Sequence, residues 1–104
     1  MTPGIEAIIS AVIWIESRGV ATAVNGCNVG LMQVCTRWTR ATAAELRDPE
    51  INRREGERIL RAWRRQAGGD WSRALAAYNC GWGGLRGRCG QSYAARVLRL
   101  ARSL

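Results

Sequence analysis

Along the first seventeen positions the apolar residues recur at helical spacing: Ile5, Ile8, Ile9, Val12 and Ile13 fall on one stripe. This predicts a helix over 3–17, stopped near Gly19. Residues 19–36 have no sustained period; their Gly, Asn and short apolar steps predict a compact loop with a small hairpin. Helical spacing returns in a short helix near 43–47 and a longer one over 49–66. There Ile51, Ile59, Leu60 and Trp63 point inward and the arginines outward. Gly68-Gly69 breaks it. A further helix covers 71–79 and ends at Gly81, and 80–90 reads as a glycine-rich loop. A last helix spans 91–102 with Tyr93, Val97 and Leu100 on one face. No repeat or linker interrupts the pattern. The expected fold is mainly α: one domain over 1–104 with a small loop and hairpin region.

The polar positions sharpen this picture. Seven of the eight acids have a structural reading. Thr42 to Glu45 is a capping box, Asp48-Pro49-Glu50 reads as N-cap, N1 proline and first-turn acid, and Asp70 caps the helix beginning at Trp71. Glu50 and Glu57 each precede an arginine by four residues (Arg54, Arg61), Glu55 lies among arginines, and Glu6 suits the first turn of its helix. Glu16 remains. It continues the apolar stripe three residues after Ile13 and sits at the negative end of the helix dipole. Partial desolvation and the dipole both favour its protonated form and raise its pKa towards neutrality, which suits a general acid. The structural alternative is a helix-end glutamate reaching solvent beside Arg18.

Composition bounds what such an acid could do. The 104 residues suit one domain that buries roughly 65% of its unfolded surface. Hydrophobic content of 47% with five tryptophans excludes a disordered chain. No apolar run is long enough to span a bilayer. The stretch 5–15 lacks the basic segment of a signal peptide, so the expectation is a leader removed and replaced by Met1, or another export route. The net charge of +8 comes from arginine alone, with no lysine, and implies anionic partners: cell envelope, membrane surface or nucleic acid. Absence of histidine excludes Ser-His-Asp and Cys-His catalysis and His-ligated metals. Without lysine the glycines up to Gly90 cannot form a Walker phosphate loop and read as turn residues.

Cysteines stand at 27, 35, 80 and 89, with no Cys-x-x-Cys pair, so a zinc site is not expected. Three disulfide pairings are open. The local one, Cys27–Cys35 with Cys80–Cys89, fits best because each pair brackets a turn-rich loop. Each closure would contribute roughly 2–3 kcal/mol and implies an oxidising compartment. The alternative is four buried thiols in a cytosolic protein.

Four separated segments then carry a resemblance: Ile15-Glu16-Ser17-Arg18-Gly19, Gly30-Leu31-Met32-Gln33, Ala76-Ala77-Tyr78-Asn79-Cys80-Gly81, and Tyr93 leading into Arg96-Val97. In order and spacing they resemble the catalytic domain of soluble-type lytic transglycosylases, which have a lysozyme-like fold and share a superfamily with goose-type lysozymes. Asp48-Pro49-Glu50-Ile51-Asn52, Gly56 and Gly69-Asp70-Trp71 extend the resemblance over nearly the whole chain. It implies Glu16 as sole catalytic acid and base. It implies that Met32 and Gln33 line the cleft beside the scissile sugars, that Tyr78 and Asn79 bind glycan, that Tyr93 hydrogen-bonds near Glu16, and that Ser17 fixes the end of the first helix. A family serine is replaced here by asparagine, assigned to Asn25 with Asn28 as the alternative. Met32 as core filler, Tyr78 as a helix-end aromatic and Ser17 as a helix terminator are the structural alternatives.

The implied reaction cleaves the β-1,4 bond between N-acetylmuramic acid and N-acetylglucosamine of peptidoglycan and leaves 1,6-anhydro ends. With one carboxyl group in place of the usual two, the nucleophile comes from the substrate. A hydrolase on the same scaffold and a non-catalytic peptidoglycan-binding module are the other readings. The expected partners are glycan strands and anionic envelope polymers. Nucleic acid is not expected, because the arginines are scattered without a recognised motif. No cofactor or metal is implied, and a monomer is expected. The setting is extracytoplasmic (periplasm or secreted), or that of a virion-associated phage lysis protein with antibacterial action.

Overall fold

Local signals set the helix ends in the computed structural model, which describes residues 2–104. Met1, on which the leader reading rests, lies outside them. The elements run α1 (Ile5–Ser17), β1 (Val24–Asn25), β2 (Asn28–Val29), β3 (Val34–Cys35), a 3-10 turn (Thr36–Trp38), α2 (Ala43–Leu46), α3 (Pro49–Gln66), α4 (Trp71–Cys80), α5 (Trp82–Arg86) and α6 (Gln91–Arg102). The protein is thus mainly helical with a small three-stranded antiparallel sheet, as in lysozyme-like domains. The α2 capping box is complete: Thr42 Oγ1 accepts from Glu45 N–H and Glu45 accepts from Thr42 N–H. Asp48 accepts from the N–H groups of Glu50 and Ile51 at the start of α3, and Asp70 from those of Ser72 and Arg73 at the start of α4. Helix α1 starts at Ile5, two residues later than expected, with Gly4 accepting from Ile8 N–H.

The chain forms two compact units, residues 9–58 and the remainder up to Ile8 and from Ile59 on. In the unit 9–58 the sheet order is β1-β2-β3, with Val24 opposite Val29, Asn25 opposite Asn28, Asn28 opposite Cys35 and Val29 opposite Val34. The two-residue turn Gly26-Cys27 joins β1 to β2. Cys27 is joined to Cys35 with Cα atoms 4.7 Å apart. Ile9, Ala11, Val12, Val29, Met32, Val34 and Leu46 are buried here. Helix α3 departs from expectation: its deepest positions are Asn52 and Leu60, with the buried Gly56 between them, while Ile51, Ile59 and Trp63 are half-buried. A polar residue thus occupies the centre of the buried stripe.

In the other unit α4 packs on α5 and α6. Ala74, Leu75, Ala76 and Ala77 are buried on α4, Leu85 on α5, and Tyr93, Ala94, Val97 and Ala101 on α6. Leu100, expected on that buried face, is half-exposed. Helix α5 replaces the expected loop. Glycine lowers helix propensity, and packing overrides it: a Cβ at Gly84 would come within 2.6 Å of Ala77 N, so the α4 main chain can approach only a glycine. The Trp82 ring meets Trp63 edge-on at 5.0 Å, and Arg73 donates through Nε and Nη2 to Leu85 O at 3.1 and 3.0 Å. Cys80 and Cys89 are joined across this segment, with Cα atoms 6.3 Å apart.

Candidate functional site

Glu16 sits in the last turn of α1, half-buried, in a turn that contains no basic residue. The helix ends because the next two residues are left-handed: Arg18 has φ 56° and Gly19 φ 80°. For Arg18 this backbone is unfavourable. It is held by Arg18 N–H donating to Trp14 O at 3.1 Å and Val20 N–H donating to Ser17 O at 3.0 Å, with the guanidinium 4.9 Å from the centre of the Trp14 ring.

Ser17 is buried, and its hydroxyl is committed to the main chain. It donates to Leu31 O at 2.8 Å, lies 3.1 Å from Ile13 O, and accepts from Gly19 N–H at 3.2 Å. The end of α1 and the Gly30-Leu31-Met32-Gln33 segment are therefore tied together one residue from Glu16. That segment is a turn between β2 and β3, closed by Gln33 N–H donating to Gly30 O at 3.0 Å. Gly30 has φ 79°, and a Cβ there would meet Asn52 Cγ at 2.9 Å, so the position needs glycine on both counts.

Gln33 has φ 50°, the left-handed region that costs a non-glycine residue on the order of 1–3 kcal/mol. Its carboxamide offsets that cost: Nε2 donates to Ala23 O and to Gly30 O, both at 3.0 Å. With two carbonyls on the nitrogen, the side chain presents Oε1 as an acceptor.

The Met32 side chain is fully buried and lies against Gly56, where an added Cβ would come within 2.9 Å of Met32 Cβ and Cε. It packs beneath the turn and does not face solvent. Met32 N–H donates to Asn52 Oδ1 at 2.8 Å, and Asn52 Nδ2 donates to Val29 O at 2.7 Å and Leu46 O at 2.8 Å. No functional role attached to Asn52 from sequence, yet it fixes this turn. Its signal was the spacing Asn52, Gly56, Leu60, one helical face with a polar member. Asn25 is exposed on β1 and Asn28 half-buried opposite it.

In the other unit Tyr78 and Asn79 occupy the last turn of α4, half-buried and exposed respectively, and Tyr93 is buried in the first turn of α6. The structure thus joins Ser17, Gln33 and Met32 through one turn beside Glu16, and places Tyr78, Asn79 and Tyr93 on two helices packed together.

The family described as Transglycosylase SLT domain matches residues 4–97. Neither the curated proteins nor the solved structures gave a match. Among the described residues no helix is long and apolar enough to cross a membrane.

Proposed function

Because the chain belongs to the transglycosylase SLT domain family and is a lytic transglycosylase catalytic domain acting on peptidoglycan, we propose that it cuts the β-1,4 bond between N-acetylmuramic acid and N-acetylglucosamine with Glu16 as its only catalytic carboxyl group. The observation that carries this reading is the placement of Glu16: half-buried at the negative end of α1, one residue from the Ser17–Leu31 tie. The acids at Glu45, Asp48, Glu55 and Asp70 hold caps or ion pairs.

Glu16 starts protonated and gives its proton to the glycosidic oxygen as the bond to muramic acid C1 breaks. The substrate N-acetyl group stabilises the cationic centre. Glu16, now a carboxylate, takes the proton of the same sugar's C6 hydroxyl as that oxygen bonds to C1. The proton count closes without water, and the product is a 1,6-anhydro sugar. The internal hydroxyl supplies the effective molarity that a second carboxylate would otherwise recruit.

Gln33 offers Oε1 to a sugar hydroxyl or amide, and Tyr78, Asn79 and Tyr93 contribute glycan binding. Ser17 and Met32 act through position, holding the helix end and the turn. Asn25 provides a polar contact at the hairpin edge. We read 1–104 as one catalytic domain, working as a monomer without a cofactor in an extracytoplasmic or phage-delivered setting, with the arginines drawing it to anionic envelope polymers.

The test is Glu16→Gln, which keeps shape and removes the proton. Solubilisation of purified peptidoglycan should fall by about a hundred- to ten-thousandfold with an unchanged thermal midpoint. Activity kept within about tenfold would overturn the assignment.

A further inference from the structure

Within residues 9–58 the 3-10 turn and α3 border an open cavity of about 560 Å³, lined by Arg37, Trp38, Thr39, Arg40, Glu55 and Arg58. None of these residues has a part in the cleavage chemistry above. The volume suits a small ligand, and the frame is built. Thr39 Oγ1 donates to Glu55 Oε1 at 2.6 Å and accepts from Ala41 N–H at 3.0 Å. Arg58 donates through Nη2 to Glu55 Oε1 and to Trp38 O, both at 3.0 Å. Arg58 is thereby neutralised by Glu55, and the guanidiniums of Arg37 and Arg40 remain as the net charge of the lining. The Trp38 residue is 56% exposed, which is unusual for so large an apolar side chain.

We propose that this cavity is an accessory binding site for an acidic saccharide, with a sugar ring stacked on Trp38 and its anionic substituent held by Arg37 and Arg40. An aromatic face suits the apolar face of a flat polar ring, and guanidinium forks suit carboxylate or phosphate. The lining has no aliphatic side chain, so a lipid tail or apolar peptide finds nothing to bury against. A nucleic acid strand stacks on aromatics too, but its affinity needs a row of phosphate contacts. Two arginines match the sparser charge of a wall glycan. The choice of a sugar rests on the peptidoglycan reading above; the aromatic and cationic character of the cavity does not. Such a site would hold the domain on insoluble wall while successive bonds are cut.

The test measures sedimentation of the Glu16→Gln protein, with and without Trp38→Ala and Arg40→Ala, on purified sacculi before and after hydrofluoric acid removes phosphate polymers. The double change should weaken binding about tenfold or more, and Trp38→Phe should restore most of it. With Glu16 intact, the same pair of changes should slow sacculus digestion and leave cleavage of short soluble glycans unaltered. Loss that persists on stripped sacculi assigns the anion as carboxylate, and loss confined to unstripped sacculi assigns it as phosphate. Binding within about twofold of the parent overturns the site. So does loss of single-stranded oligonucleotide binding with sacculus binding kept. If the wild type releases no product while sedimentation still depends on Trp38 and Arg40, the cleavage reading fails and this site stands.

Discussion

Met32 N–H donates to Asn52 Oδ1 across 2.8 Å, and the amide nitrogen of the same asparagine reaches Val29 O and Leu46 O. One fully buried side chain thus satisfies a turn, a strand and a helix end. Asn52→Ala leaves three buried main-chain groups without that partner, at roughly 2–4 kcal/mol. The thermal midpoint should fall by on the order of 10–20 °C, read by circular dichroism melting at neutral pH. A fall of only a few degrees would mean that the turn holds itself.

Gly56 and Met32 are a matched pair. A methyl at Gly56 would press on Met32 Cβ and Cε at 2.9 Å. Gly56→Ala should cost about 1–3 kcal/mol through overpacking. Met32→Ala frees that space, so in a double-mutant cycle by urea denaturation the pair should couple by about 0.5 kcal/mol or more. Additive effects would contradict the packing role given to Met32.

The parts of the fold that were legible in the sequence are those set by short-range chemistry. The caps at Thr42, Asp48 and Asp70 act on main-chain groups two or three residues away, and each stands where the residues predicted it. What stayed hidden depends on residues distant in sequence. Helix α5 forms where Gly83 and Gly84 argue against a helix, because Gly84 fits against Ala76 and Ala77. Asn52 is polar, so apolar periodicity assigned the inner face of α3 to Ile51, Ile59 and Trp63 and passed over it. Of the candidate site, the half-buried helix-end position of Glu16 could be read from its stripe. The left-handed backbone of Gln33 could not, since nothing local demands it; the bonds to Ala23 and Gly30 do.

Ser17→Ala removes the donor to Leu31 O and the acceptor for Gly19 N–H. The expected cost is about 1–2 kcal/mol of stability. Cleavage should slow while binding to the Glu16→Gln,Ser17→Ala protein matches that of Glu16→Gln alone. Weakened glycan binding in that comparison would instead give Ser17 a direct contact with substrate.

Glu55 is held below the ordinary carboxylate pKa. The Thr39 hydroxyl, then Arg58, hold its pKa below the usual 4.5. A depressed carboxylate binds fewer protons folded than unfolded. It therefore stabilises the fold fully above the unfolded value, and that contribution is lost as pH falls through the folded value. Thr39→Ala removes the largest cause. It should lower the thermal midpoint at pH near 7 and shrink the further loss between about pH 5 and pH 2. An acid-induced loss as large in Thr39→Ala as in the wild type would count against this linkage.

The claim that Glu16 works alone with a substrate hydroxyl as nucleophile is tested most directly by digesting peptidoglycan in heavy-oxygen water and weighing the muropeptides. The account predicts wild-type products one water lighter than reducing-end muropeptides and free of heavy oxygen, and none from Glu16→Gln. Heavy oxygen at muramic acid C1 would make water the nucleophile and the enzyme a hydrolase. Unchanged product release by Glu16→Gln would remove Glu16 from the chemistry.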